Sequence, residues 1–154
     1  MREHSIDVNG ACLCGQVRYR ASLRPGTGAC HCGSCRKWSG GPLMSVHAIG
    51  KVAFSGEEFI SRYRSSEWAQ RGFCSQCGSN LFYHLLPRPG LPDGEYILSA
   101  GSVENQSIMN FDHEVYVDNN PGWYSFSGES TRKQLTEGDI LAMYGPDSDT
   151  GENN

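Results

Sequence analysis

Seven cysteines in three tight sets constrain this 154-residue chain more than any other feature. The first set is Cys12-Leu13-Cys14, the second Cys30-His31-Cys32-Gly33-Ser34-Cys35, the third Cys74-Ser75-Gln76-Cys77. A disulfide framework belongs to exported chains, and residues 1–10 contain no apolar run that reads as an export signal. Closely spaced thiols in a chain of that kind point to metal. The triple is too compact to be shared among distant ions, so the thiolates divide as four plus three. Cys12, Cys14, Cys74 and Cys77 form a closed structural site, stapling segments about sixty positions apart against the loop entropy that resists closure. Cys30, Cys32 and Cys35 take a second ion. Thiolate donors select a soft or borderline metal, with Zn²⁺ the default, so two zinc ions per chain are expected.

Three ligands leave a tetrahedron one short. Either a histidine or carboxylate closes it, with His31, His47, His84 and His113 as candidates, or the position takes water or an incoming ligand. His31 sits between two of the ligands, where its ring has difficulty reaching back to the same ion. Three thiolates leave Zn²⁺ with a net negative centre, weak at acidifying water compared with histidine-bound zinc, whose water reaches a pKa of about 7. A thiol begins near pKa 8.5, much closer to neutrality, so an external thiol suits an open position better than hydrolytic water does.

The rest of the chain reads as a mainly β domain. Val17, Tyr19 and Ala21 alternate with Gln16, Arg18 and Arg20, the period of a half-buried strand. Pro25-Gly26-Thr27-Gly28 reads as a turn. Arg36-Lys37-Trp38 forms a short helical turn ended by Gly40. Strands are expected over 43–49, 51–54 (with Gly50 turning between them), 59–64, 80–86, 96–100 and 113–117. The third cysteine set sits at the turn of a hairpin. Gly15 and Gly78, each following the last cysteine of a pair, permit turns that face amide N–H groups toward sulfur. Thr136 caps a short helix through Met143, with Asp139 at the capping-box position. Residues 1–9 read as a loose lead-in, 10–146 as a single zinc-binding domain, and 147–154 as a disordered tail. A formal charge of -4 and a pI near 5.7 provide no basic field for nucleic acid. No stretch approaches the roughly 18 apolar residues of a membrane span, and a cytoplasmic location is expected.

Taken together, Cys12-x-Cys14-Gly15, Cys30-His31-Cys32-x-x-Cys35-Arg36-Lys37 and Cys74-x-x-Cys77-Gly78 resemble the glutathione-dependent formaldehyde-activating family. The stretch from His113 to Val117, with Pro121-Gly122-Trp123 after it, is similar to that family's C-terminal segment, and the likeness runs from about Gly10 to about Gly128. The resemblance implies an Mss4-like (β-tent) fold of short antiparallel strands with few short helices. It assigns Cys12, Cys14, Cys74 and Cys77 to structural zinc and Cys30, Cys32 and Cys35 to a substrate-facing zinc. The activity it implies is of carbon–sulfur lyase type: glutathione, or another small thiol, and formaldehyde, or a small aldehyde, combining reversibly into the S-hydroxymethyl adduct.

No acid or base is fixed by the pattern. His31, Ser34 and His113 are the candidates to stabilise and protonate the oxygen formed on addition. Arg36 and Lys37, directly after Cys35, are the cations best placed for the carboxylates of glutathione. Trp38 and Trp123 are candidates to wall the pocket, although large aromatics also belong to cores. Two other readings share the scaffold: a non-catalytic zinc module that binds a protein or small-molecule partner, and a zinc-thiolate lyase or isomerase acting on a different sulfur compound.

Overall fold

The computed structural model describes residues 4–144, so the expected tail over 147–154 lies outside the described residues. The chain is mainly β, with nine strands and two α-helices among the described residues. The described residues divide into two compact units, one made of 4–27 with Met44–Asn110 and the other of Gly28–Leu43 with 111–144.

The first unit holds β1 (Ile6–Ala11), β2 (Arg18–Cys30), β3 (Leu43–Ser55), β4 (Ile60–Arg64), β5 (Ala69–Cys74), β6 (Asn80–Leu85) and β7 (Glu95–Ser99). Gly28 to Cys30 of β2 and Leu43 of β3 belong to the second unit. The strand order is β4-β5-β6-β7-β3-β2, and β1 pairs antiparallel with β2, Val8 opposite Ala21. The alternation read from the sequence is the one that folds. Val17, Tyr19, Ala21 and Leu23 turn inward and are buried with Val46, Ala48, Leu81, Phe82 and Leu98. Each such apolar side chain removed from water contributes about 1.5–3 kcal/mol. The ring of Phe82 lies over Gly72 so closely that a Cβ there would fall 2.1 Å from its Cζ, which is why β5 carries glycine in mid-strand.

Several expected boundaries move. The lead-in is a strand from Ile6 onward, since β1 has β2 to pair with. Pro25-Gly26-Thr27-Gly28 does not turn the chain. Thr27 N–H donates to Asn110 O at 2.7 Å, and β2 runs through the segment to Cys30. Gly50 keeps a φ of 72° but bends one continuous strand, β3, instead of separating two. Two strands of 13 residues are therefore longer than the short strands expected. In these places a glycine or proline signal yielded to the pairing available on a neighbouring strand.

The second unit holds α1 (Gly33–Ser39), β8 (Phe111–Val115), β9 (Lys133–Leu135) and α2 (Glu137–Tyr144). Its strand order is β2-β8-β9, and β8 and β9 run parallel, so the sheet is mixed. Strand β8 stops at Val115, short of the expected Val117, because Tyr116 enters the left-handed region with φ 56°. Thr136 and Asp139 form a reciprocal cap at the start of α2: Asp139 Oδ2 accepts from Thr136 N–H at 2.9 Å and Thr136 Oγ1 from Asp139 N–H at 3.2 Å.

Candidate functional site

The four-cysteine cluster lies entirely in the first unit. Cys12 and Cys14 stand at the mouth of β2, and Cys74 and Cys77 in the turn between β5 and β6, which pair antiparallel as the two arms of a hairpin. All seven cysteines are free thiols. The Sγ atoms of Cys12, Cys14, Cys74 and Cys77 lie within 4.8 Å of one another, with Cys12–Cys14 at 3.6 Å and Cys14–Cys74 at 3.8 Å. Metal–sulfur bonds of about 2.3 Å in a tetrahedron give sulfur–sulfur edges of about 3.8 Å, so these positions fit four-thiolate zinc. Gly15 (φ 81°) and Gly78 (φ 79°) take the left-handed conformation expected of them. Amide groups face sulfur in both pairs: Val17 N–H donates to Cys12 Sγ and Gln76 N–H to Cys74 Sγ, each at 3.3 Å.

Thiols this crowded oppose one another's ionisation. At Cys14 a hydrogen bond from the Gln16 backbone works downward, but burial and the neighbouring Cys12, Cys77 and Cys74 carry the thiol up to about 11. Cys77 is drawn down to about 5, first by the Ser79 hydroxyl and then by the Ser79 backbone. A bound cation deprotonates coordinating thiols outright and relieves this conflict.

The three-cysteine cluster lies entirely in the second unit. Cys30 ends β2, Cys32 caps α1, and Cys35 sits buried in its first turn, with the three Sγ atoms within 4.8 Å of one another. Cys32 Sγ accepts the Cys35 N–H at 3.3 Å, and Gly40, at φ 84°, closes the helix by donating to Arg36 O. The contacts with Cys32 and Cys35, then burial, push the Cys30 thiol well above the ordinary range. The geometry fits three thiolates on one ion, and among the described residues no further metal-ligating group joins them.

His31 does not close the tetrahedron, because both of its nitrogens are engaged elsewhere. The ring is fully buried. Its Nε2 lies 2.7 Å from Glu114 Oε1 and its Nδ1 2.7 Å from the Tyr124 hydroxyl. Its backbone N–H donates to Val115 O at 3.1 Å, and its carbonyl accepts from Arg36 Nε at 3.0 Å. Glu114 Oε2 in turn accepts from Arg132 Nη2 at 2.8 Å, Arg132 Nε at 2.9 Å and Gln134 Nε2 at 3.1 Å. Burial works to raise the Glu114 carboxyl, but Gln134, His31 and Arg132 together hold it below its usual value. Arg132 lies 4.2 Å over the face of Phe111, and its side chain is as buried as that of its partner Glu114. The loop between Cys30 and Cys32 is thus tied to a buried, charge-balanced network.

The remaining expected site residues have separate fates. Ser34 and Lys37 are exposed on α1, and Trp38 is half-buried there. Arg36 is committed through Nε to the His31 carbonyl. His113 bonds Asp112 at 2.6 Å and packs where a Cβ on Gly28 would lie 2.1 Å from its Nε2. Trp123 is 72 % exposed and stands edge-on to Tyr124, ring centroids 4.7 Å apart. His47 and His84, the other imidazoles considered as fourth ligands, belong to the first unit, where His47 bonds Glu95 and His84 stacks on Tyr96. Glu114, Tyr124, Arg132 and Gln134 were not legible as site residues. The one available signal was a glutamate at an inward position of the β8 alternation, where it is the buried member of the strand.

A mainly β chain carrying a four-thiol cluster and a separate three-thiol loop, each spaced so that it could hold a metal ion, defines a cysteine-rich β class. Within that class this chain belongs to the glutathione-dependent formaldehyde-activating enzyme family, whose model matches residues 7–119. It is similar to a Schizosaccharomyces pombe protein named an uncharacterized lyase, 29% identical over 132 residues that cover 85% of this chain and 93% of that protein. A crystal structure of a Rhodobacter sphaeroides protein shares the fold, with a TM-score of 0.53 at 19% identity, covering 83% of this chain and 99% of the other. Among the described residues no helix is long and apolar enough to cross a membrane.

Proposed function

We propose that this protein is a zinc-dependent enzyme of carbon–sulfur lyase type, reversibly joining glutathione, or another small thiol, to formaldehyde or a small aldehyde. The observation that carries this reading is the gathering of Cys30, Cys32 and Cys35 at one point while His31 turns both nitrogens away, to Glu114 and Tyr124. Three protein thiolates that no further metal-ligating group joins among the described residues suit a thiol substrate. The family's description and the lyase name of the yeast relative support the same chemistry.

Cys12, Cys14, Cys74 and Cys77 hold a structural zinc, and Cys30, Cys32 and Cys35 hold the zinc that meets substrate. Cys30, Cys32 and Cys35 would present a thiophilic ion, which when bound would favour an incoming thiol as thiolate at neutral pH. The residues around it orient and select. Arg36, held by the His31 carbonyl, and Lys37 on the same helix offer positive charge to the carboxylates of glutathione. Trp123 offers an exposed aromatic face at the rim. Burial of the His31–Glu114–Arg132 network keeps the thiolate loop in one geometry, which is what an addition between two small molecules needs.

Cobalt exchange tests the reading. The cobalt-loaded protein is titrated with glutathione while the thiolate-to-metal absorption is followed, and formaldehyde–adduct exchange is followed by NMR with the zinc form. A change in the second centre's spectrum at millimolar glutathione, with accelerated exchange, is expected. An unmoved spectrum and an unaccelerated exchange would favour the non-catalytic binding module instead.

A further inference from the structure

Arg36 is held more firmly than a cation that only adds charge to a surface. We propose that Arg36 is the specificity-determining residue of the second centre. Its two Nη groups take the glycine carboxylate of glutathione as a fork, so the site selects thiols with a carboxylate at that reach over their esters. This rests on the proposed function and adds to it the contact that chooses the thiol.

Several contacts place the arginine, all within the second unit. Its backbone N–H donates to Cys32 O at 3.0 Å and its carbonyl accepts from Gly40 N–H at 2.9 Å, so the main chain is fixed on both sides. The side chain turns back over the loop between Cys30 and Cys32, where Nε donates to His31 O at 3.0 Å. Nη2 lies on the Gly33 side of that loop, 3.8 Å from where a Cβ on the glycine would stand. Burial raises the Tyr124 hydroxyl and the charge of Arg36 works against it, so the guanidinium is also within electrostatic reach of that group. One nitrogen of a planar fork is thus committed to the protein. Among the described residues neither Nη makes a hydrogen bond or ion pair. A pinned Nε holds the two Nη groups in one plane before a ligand arrives, and as a pair they match the two oxygens of a carboxylate. Lys37 offers no such pair. It is exposed, turned about 100° around the helix axis, and carries a single flexible charge.

Reach and charge together choose the ligand. The His31 carbonyl lies between two of the three thiols, so the fork stands within about two residues' length, roughly 7 Å, of the sulfur position. Of the two carboxylates of glutathione, that of glycine is fewer bonds from the sulfur, and it suits this reach. Four thiolates on one divalent ion would make a doubly negative centre, which repels a carboxylate so close unless a cation stands beside it. Arg36 is the cation fixed on that loop. A charged fork of this kind discriminates against a ligand lacking the anion, on the order of tenfold.

The test uses the zinc-loaded full chain. Calorimetric titrations with glutathione and with its glycine ethyl ester are compared among wild type, Arg36→Met and Arg36→Lys. Wild type is expected to bind glutathione on the order of tenfold more tightly than the ester. In Arg36→Met that preference falls below about twofold. Both ligands carry the same thiol, so a loosened cysteine loop weakens both alike and leaves the ratio intact. The ratio therefore reads recognition and not support of the loop. Arg36→Lys keeps the charge without the fork and is expected to lose most of the preference. A preference retained in Arg36→Met overturns the proposal, and one retained in Arg36→Lys overturns it by reducing the arginine to a diffuse positive field. Wild type that binds both ligands equally sinks this proposal alone, whereas wild type that binds neither removes the thiol substrate and with it the proposed function.

Discussion

Replacing Glu114 by alanine should damage one metal centre and spare the other. The carboxylate is buried, accepts from His31, Arg132 and Gln134, and has its charge matched by an equally buried guanidinium. Removing one member of such a pair leaves the other charge uncompensated, at a cost of about 3–5 kcal/mol. Arg132 retains the Ser127 carbonyl at 2.8 Å and the face of Phe111, which offset part of the loss, so the lower end, about 3 kcal/mol, is expected. Against a total stability of about 5–15 kcal/mol the variant still folds. Its His31 ring, however, has lost the anchor that fixes the cysteine loop, and loss of an outer partner of this kind weakens metal binding by about 10–100-fold. Glu114→Gln keeps an oxygen for His31 but turns an amide toward Arg132, so it should fall between wild type and alanine. Urea midpoints at fixed free zinc give the stability change, and cobalt titrations give the affinity of each centre. A Glu114→Ala protein within about 1 kcal/mol of wild type, or one in which both centres weaken alike, would refute the assignment of Glu114 as the anchor of this loop.

Two further outcomes test separate parts of the structure. Cys74→Ser should unfold the first unit, since a structural four-thiolate zinc supplies on the order of 10 kcal/mol, whereas Cys32→Ser should abolish thiol binding and leave circular dichroism largely intact. Equal loss of structure in both would contradict the division of roles. Glu95 tests the pH response: burial works to raise its carboxyl, but the hydrogen bond and charge of His47 and the charge of Arg24 lower it below 4.5. A carboxyl lowered on folding stabilises the protein above its unfolded pKa, and that contribution disappears as pH falls through the folded value. Denaturation of wild type and Glu95→Gln should therefore differ at pH 7 and converge as pH falls through the lowered folded value, and a difference independent of pH would remove Glu95 from this role.

The division of the cysteines was legible because it is covalently local. Cysteines one or two residues apart stay close whatever the rest of the chain does, and Cys30, Cys32 and Cys35 do gather into one cluster that could hold an ion. Alternation identified the inward face of β2 for a similar reason, since successive side chains of a strand point to opposite sides. Turn composition was a weaker guide. Pro25-Gly26 and Gly50 carry turn signals, but the hydrogen bonds of neighbouring strands were stronger than local preference, and both segments became strand interior.

The surroundings of the second centre were decided only by tertiary structure. His31 meets Glu114 across 83 positions and Tyr124 across 93, and no periodicity links residues so far apart. Sequence alone reads a buried glutamate as unfavourable and an exposed tyrosine as unremarkable. The fold reverses both, because Arg132 and Gln134 supply the donors that make burial of Glu114 possible, and the Tyr124 hydroxyl lies 2.7 Å from the His31 ring that this carboxylate holds. Spacing thus determined that three thiols gather where one ion could be held. Long-range pairing of a buried acid with its cation decided what stands behind them.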